Sequence, residues 1–196
     1  MTPRLIQTAA RLSARLDAAG DPLLPTLARF AFAASLAGYF WASALTKTGE
    51  GPFGLFAPAL GAYAQIFPRT LEAAGYNVAE LGAFHWAVVV AGTIAEFALP
   101  ALVILGLLTR LAALGMIGFV IVQTATDILG HMADATTIGA WFDRTPDSLI
   151  LDQRLFWMLL LVTLVMKGAG PLSLDRLLAP VLARQAAARA ALPSEV

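Results

Sequence analysis

Two charged residues lie inside apolar runs that are otherwise long enough to cross a bilayer. Glu96 lies in the run 84–107, and Arg29 lies early in the run 24–45. At about 1.5 Å per residue, Glu96 is roughly 18 Å below the start of its run, and Arg29, entering from the opposite face, is about 8 Å deep. In a hydrocarbon core about 30 Å thick, the remaining vertical gap is only about 4 Å. We therefore predict an intramembrane ion pair between Arg29 and Glu96.

Such a pair has two interpretations. A carboxylate in hydrocarbon must be paired, protonated or turned toward a polar cavity. The Arg29–Glu96 pair could serve only to fix how two helices pack, since buried ion pairs commonly act as packing or register devices. Alternatively, the pair could form a polar site for a proton or for the head group of a ligand.

A second polar group is predicted at the outer rim, where the apolar runs end. Asp127 and His131 are four residues apart, so a continuing helix would place them on one face. A small metal ion or an anionic ligand could be held here, or the group could be a solvated rim that satisfies helix ends. No metal site is predicted, because no ligand spacing repeats. The members are Lys47, Glu50, His85, Asp127, His131, Asp134 and Asp152.

The composition excludes several classes of function. Hydrophobic residues make up 59% of the 196 residues and charged residues only 13%, whereas a soluble domain carries about 25% charged residues. The formal net charge is zero, so no overall field favours nucleic acid. The chain has no cysteine, which excludes iron–sulfur clusters and disulfides. Without a CxxCH motif, covalently attached haem is also excluded, and both histidines lie too near the outer surface for a transmembrane haem.

These residues must be positioned by helices. The apolar runs predict an all-α membrane protein with a single domain, residues 1–196, built as a four-transmembrane-helix bundle. Amphipathic helices over about 4–19 and 173–190 are expected to lie at the membrane interface. The apolar stretch 53–67 is too short to cross and predicts a re-entrant or interfacial outer segment between the first two spans. The spans are about 24–45, 84–107, 111–129 and 149–166.

Lysine and arginine are distributed unevenly between the two ends of these spans. Cytoplasmic segments of membrane proteins carry the excess of Lys and Arg, which predicts that both termini are cytoplasmic. One side holds Arg4, Arg11, Arg15, Arg29, Arg110, Lys167, Arg176, Arg184 and Arg189, and the other holds Lys47, Arg69, Arg144 and Arg154.

Three segments, taken in order, resemble the DoxX family of small bacterial membrane proteins. They are LARFAFAASLAGYFWASALTK in the first span, AEFALPALVILGLLTRLAAL across the second span and the following turn, and KGAGPLSLD after the fourth. The resemblance implies a four-helix bundle in the bacterial inner membrane. Family members are associated with quinone-linked oxidoreductases and other multi-component redox or metal-stress systems.

The resemblance favours an inner-membrane accessory subunit of a quinone-linked or other multi-component redox system. We do not expect an enzyme that acts alone, because the side chains lack redox chemistry of their own. Expected partners are the lipid bilayer and a membrane or periplasmic protein, and a homo-oligomer stays open. A quinone head group near Arg29 and Glu96 is then one candidate ligand, and the cofactor stays open. The alternative is a permease for a small molecule, ion or metal that uses Glu96 as its coupling acid.

Overall fold

The computed structural model describes residues 3–190, and this part of the chain is helical with irregular connections and no strand. Three of its helices are long and apolar enough to cross a membrane: Arg4–Leu45, Ala83–Leu105 and Thr109–Gly130. Their length and hydropathy indicate a membrane protein, as the composition predicts.

The first of these helices is much longer than a bilayer requires. Helix α1 (Pro3–Phe32) continues through a π-helical turn (Ala33–Ala37) into α2 (Gly38–Leu45). Together they form a helix of 42 residues from Arg4 to Leu45, about 63 Å long. The amphipathic segment predicted to lie flat on the membrane is thus continuous with the first apolar run. Two prolines interrupt the backbone ladder near the junction, at Pro22 and Pro25, without ending the helix.

The second and third long helices agree with the predicted runs to within two or three residues. Helix α5 spans Ala83–Leu105 and ends at Gly106, whose φ of 66° is the left-handed conformation typical of a helix C-cap. Helix α6 (Thr109–Ala125) follows after a short turn and continues through a second π-helical turn, Thr126–Gly130.

Helix α8 (Leu151–Lys167) corresponds to the fourth predicted run, 149–166. It has 17 residues, about 25 Å, and is shorter than the three helices named above. It packs against α1 and α6. Beyond the GAGP turn, helix α9 (Leu174–Ala190) runs to the end of the described residues.

The connections at one end of the long helices form a cap. Helix α3 (Leu60–Ile66), α4 (Pro68–Ala73) and a 3-10 turn (Val78–Glu80) lie between α2 and α5, and α7 (Ala135–Ile138) lies between α6 and α8. The apolar stretch 53–67, predicted to be re-entrant or interfacial, packs through Ala62 and Tyr63 against Leu71 and Val89. We name this the α3 end, and the opposite end, with the α5–α6 turn and α9, the α9 end.

The main core lies between α1, α2, α5, α6 and α8. Phe40 is fully buried at its centre and contacts four aromatic rings. Phe32 stacks on it at 6.3 Å, Phe119 and Trp157 meet it edge-on at 6.0 Å, and Tyr39 meets it edge-on at 5.1 Å. Met116, Leu161 and Leu164 complete the centre of the core. This apolar contact holds α6 and α8 against the first helix.

Arg29 closes the α9 end. Its guanidinium donates to the carbonyl oxygens of Val103 at 2.9 Å and Ala169 at 3.0 Å, and also to those of Ile104 and Leu172. The last carbonyls of a helix have no intrahelical partner and attract a cation. Arg29 therefore joins the C-terminus of α5 to the turn that precedes α9.

Asp175 makes the complementary contact at the same end. Its carboxylate accepts hydrogen bonds from Leu108 N at 2.7 Å, Thr109 N at 3.0 Å and Thr109 Oγ1 at 2.8 Å, which caps the N-terminus of α6. Burial alone would raise the pKa of Asp175, but these hydrogen bonds and the charge of Arg29 outweigh burial and hold the pKa below its usual range. The ionised carboxylate is the form that stabilises this end.

Replacing Asp175 with Asn should therefore lower stability at neutral pH by about 1 kcal/mol, the usual cost of losing a capping carboxylate. Because the folded pKa is depressed, the contribution of Asp175 is present above the unfolded value of about 4 and is lost as pH falls through the folded value. The difference in Tm between wild type and Asp175→Asn should thus shrink below about pH 4. Thermal unfolding in detergent across this range measures it.

The matched control is Asp17→Asn, at an exposed position of α1. It should leave Tm almost unchanged at every pH. A gap between wild type and Asp175→Asn that stays constant down to acid pH would contradict the assignment of Asp175 as an ionised cap.

Candidate functional site

Lys47 and Glu96 form a buried ion pair between α2 and α5. Lys47 follows α2 and folds back along it, so that its Nζ lies 2.8 Å from Glu96 Oε2 on α5. Nζ also donates to Ser43 Oγ at 2.7 Å and to the Ser43 carbonyl at 3.3 Å. The side chains of Lys47 and Glu96 are only 7% and 3% exposed. This is a buried and nearly dehydrated ion pair.

The predicted pair between Arg29 and Glu96 is wrong. Arg29 lies level with Val103 and Ile104, seven and eight residues farther along α5 than Glu96, or about 10 Å along the helix axis. The estimate of depth assumed that the first span begins at residue 24, whereas the helix begins about 20 residues earlier and its position is set by packing. Glu96 instead lies level with the last turn of α2, within reach of Lys47.

Lys47 and Glu96 border a cavity of about 570 Å³. Its side walls come from α2, α5 and α6, and its roof comes from α3 and His131. Small residues make the room: Ala91, Gly92 and Ala95 on α5 face Gly115 and Gly118 on α6. A Cβ added at Gly118 would meet no atom within 4 Å. The walls are mainly apolar, with a few polar groups at defined points.

Two hydrogen bonds link the elements around this cavity. Gln123 Nε2 on α6 donates to the Tyr39 hydroxyl on α2 at 2.6 Å. His131 Nε2 lies 2.9 Å from the carbonyl oxygen of Gln65 on α3. Because a carbonyl can only accept, Nε2 of His131 carries the proton in this contact. The cavity thus has a polar rim at the α3 end above an apolar body.

A second ion pair lies between this cavity and a larger one of about 800 Å³. Arg154, in the first turn of α8, pairs with Asp127 and donates to Thr124 Oγ1 at 2.7 Å. Trp157 lies under the guanidinium, 5.9 Å from its ring centroid. Tyr39, Asp127 and His131 line both cavities, so the two cavities adjoin along a polar wall.

The structure brings together only some of the residues of the predicted outer-rim cluster. Lys47, Asp127 and His131 line the first cavity together with Glu96, but Lys47 is a buried ion-pair partner and not a rim residue. His85 packs edge-on against Phe67 at 4.8 Å, and Asp152 accepts from Ser148 N and Oγ at the start of α8. Within residues 3–190, no group of three His, Asp or Glu side chains could hold a metal ion.

Sequence reasoning misses the roles of Arg154 and Tyr39. By charge counting, Arg154 is only one of the outer-side cations. The sequence does hold a usable indication, because Asp127 ends the third apolar run and Arg154 begins the fourth, so both charges enter the bundle at the same end. Tyr39 and Gln123 carry no comparable pattern, since their contact depends on how α2 and α6 face each other.

Comparisons of the chain with protein-family models, with curated proteins and with solved structures found no match. The resemblance to the DoxX family accordingly stays a prediction from the three sequence segments. What is known of the site comes from its own geometry.

Breaking the buried pair should be costly. Lys47→Met or Glu96→Gln alone should destabilise the protein by about 3–5 kcal/mol, because each leaves one charge buried without its partner. The double variant should lose less than either single variant, since no uncompensated charge remains. Chemical or thermal unfolding in detergent of the four proteins gives the coupling energy.

The exposed pair of Lys167 and Asp21 is a matched control. Its atoms are equally close, at 2.6 Å, but its side chains are 44% and 72% exposed. Asp21→Asn should change stability by no more than about 1 kcal/mol. If the Lys47 and Glu96 variants were as mild as Asp21→Asn, or if their effects simply added, the pair would not be dehydrated as described.

Proposed function

We propose that this protein is an inner-membrane accessory subunit of a quinone-linked or other multi-component redox system, and that the cavity beside Lys47 and Glu96 holds the head group of a quinone-type ligand. The observation that carries the proposal is this cavity. It combines an apolar body with a buried ion pair and lies between helices that have the length and hydropathy of membrane spans.

The size and lining of the cavity support a small amphipathic ligand. Ligand sites are typically about 300–1,000 Å³, with mainly apolar walls and a few polar groups that set orientation. A volume of about 570 Å³ lies within this range. The Lys47–Glu96 and Arg154–Asp127 pairs each sum to zero charge, so the walls favour a neutral ligand over an ion.

The residues of the cavity also fit the chemistry of a quinone head group. The ring would pack among Ala91, Ala95 and Phe119. The Tyr39 hydroxyl would donate to a carbonyl oxygen of the quinone, whereas the Glu96 carboxylate could accept only from a hydroxyl of the reduced form. A bound quinone would supply the electron-carrying chemistry that the side chains lack. The residues of the chain would orient the ligand, with the Glu96 carboxylate as a hydrogen-bond acceptor.

The same proposal includes the arrangement in the bilayer. Helices α1–α2, α5, α6 and α8 form a four-helix transmembrane bundle in a bacterial inner membrane, with both termini cytoplasmic. Helix α8 is short, but at about 25 Å it can cross a bilayer that thins locally to match it. The α3 end then faces the periplasm. A membrane or periplasmic redox protein is the proposed partner, because electrons must leave the ligand to another carrier.

Filling the cavity should abolish ligand retention. Gly118→Leu places a side chain in space that no protein atom occupies, so the fold should be kept and the bound quinone lost. Mass spectrometry of the protein gently extracted from its native membrane measures the quinone to protein ratio. Gly38→Leu is the matched control, because a Cβ at Gly38 also meets no atom within 4 Å and Gly38 does not line the cavity.

The proposal predicts about one quinone per wild-type and Gly38→Leu protein and at least tenfold less in Gly118→Leu. Equal retention by all three would place the quinone elsewhere. A wild-type protein that retains no quinone and no redox partner, but moves a solute across liposomes in a manner that depends on Glu96, would support the permease instead.

Topology can be tested directly because the chain has no cysteine. Single cysteines at Glu50 and Arg144, in the connections of the α3 end, should react with a membrane-impermeant maleimide in intact cells. Cysteines at Thr8 and Arg176 should react only after permeabilisation. Labelling of Arg176→Cys from outside would mean that α8 does not cross and that the bundle has three spans.

A further inference from the structure

All three N–H donors of the Lys47 ammonium group are used within the protein. An ammonium group has three N–H donors, and those of Lys47 contact Glu96 Oε2, Ser43 Oγ and the Ser43 carbonyl. Lys47 therefore has no spare N–H donor for a ligand in the cavity. A carbonyl oxygen would have no charged group to accept from there.

Glu96, the partner of Lys47, still has an unused hydrogen-bond acceptor. Glu96 uses only Oε2 in the pair, and Oε1 contacts no donor among the described residues. The unpartnered side-chain atoms that are sealed from solvent in the described part of the chain are His85 Nδ1, Gln123 Oε1 and Arg154 Nε. Glu96 Oε1 is not one of them, and Glu96 lines the cavity. The free oxygen is thus reachable from the cavity.

The remaining groups near the ligand do not reverse this preference. His131 uses its protonated Nε2 on the Gln65 carbonyl, so this nitrogen has no donor left for the ligand. The hydroxyls of Tyr39 and Ser43 can donate or accept and so do not discriminate. Hydrogen bonds to an ionised carboxylate are roughly twice as strong as those between neutral groups. Asp127 also lines the cavity and pairs with Arg154 through one carboxylate oxygen only, so the unfilled charged positions in the cavity, on Glu96 and on Asp127, are both acceptors.

From these contacts we infer that the cavity selects a neutral amphiphile that presents a hydroxyl donor, in preference to one that presents only carbonyl or ether oxygens. The hydroxyl donates to Glu96 Oε1, and the apolar body lies along α5 and α6. The inference rests on the proposed function in one respect: if the ligand is a quinone-type molecule, the form bound more tightly is the reduced, dihydroxy form. The chain would then hold the reduced form ready for a partner that oxidises it.

The test compares pairs of similar ligands of which only one member has a hydroxyl hydrogen to donate. The purified full-length protein in detergent is titrated with a long-chain alkylphenol and with the same compound methylated at its oxygen. Binding is measured by calorimetry. A second pair is a short-chain hydroquinone, kept reduced, and the corresponding quinone. The hydroxyl compound of each pair should bind at least about tenfold more tightly, as expected for a hydrogen bond to a charged acceptor.

Two variants assign the preference to Glu96 and to this cavity. In Lys47→Met/Glu96→Gln, the free carboxylate is replaced by an amide that both donates and accepts, and no buried charge is left unpaired. This protein should still bind, with the two members of each pair within about threefold of one another. Gly118→Leu should abolish binding of all four compounds, and Gly38→Leu should bind them as wild type does.

The outcomes separate the inference from the proposed function. Equal or tighter binding of the ether and the quinone would overturn the hydroxyl preference while leaving a quinone site in place. Binding of the alkylphenol over its ether, with neither hydroquinone nor quinone bound, would overturn the redox proposal and support the hydroxyl site. No binding of any compound by the wild-type protein would overturn both.

Discussion

A charge among apolar helices must be satisfied by the protein itself, because neither hydrocarbon nor the packed core supplies water. Three contacts in the bundle meet this requirement. At the α9 end, Arg29 is satisfied by the carbonyls of Val103, Ile104, Ala169 and Leu172. Toward the α3 end, Lys47 is satisfied by Glu96, and Arg154 is satisfied by Asp127. Each contact joins elements that are distant in sequence and so fixes their relative positions.

These contacts also explain where the bundle is closed and where it is open. Around Phe40, large apolar side chains fill the space between α1, α2, α6 and α8. Between α5 and α6 the cavity is made by small residues, Ala91, Gly92 and Ala95 on α5 and Gly118 on α6, while nearer the α9 end Leu99 packs onto Gly115. Lys47, Glu96 and Asp127 line the space that these small residues leave.

The sequence alone predicts the elements well and their contacts poorly. Hydropathy locates the apolar parts of the long helices to within a few residues, because an uninterrupted apolar run of about twenty residues has few other uses. It also identifies Glu96 and Arg29 as residues that need partners. It cannot identify those partners, because a side chain about 6 Å long reaches several helical levels and rotation about each helix axis is set by packing. Lys47, assigned to the rim by its place in the sequence, folds back by one turn and becomes the partner of Glu96.

The sequence presents two alternatives for the buried acid, helix packing and a polar site for a ligand. The geometry of the Lys47–Glu96 pair is compatible with both. Its packing role requires only one carboxylate oxygen, since Oε2 alone meets the ammonium group. A buried pair with both oxygens engaged would contribute to stability without offering anything to a ligand, and a carboxylate without a cation would be too costly to keep ionised. With Lys47 on one oxygen, Glu96 keeps its ion-pair partner and still presents the other oxygen to the cavity. The cation thus makes an ionised acceptor tolerable at this depth, and the small residues of α5 and α6 leave the room in which a donor can reach it.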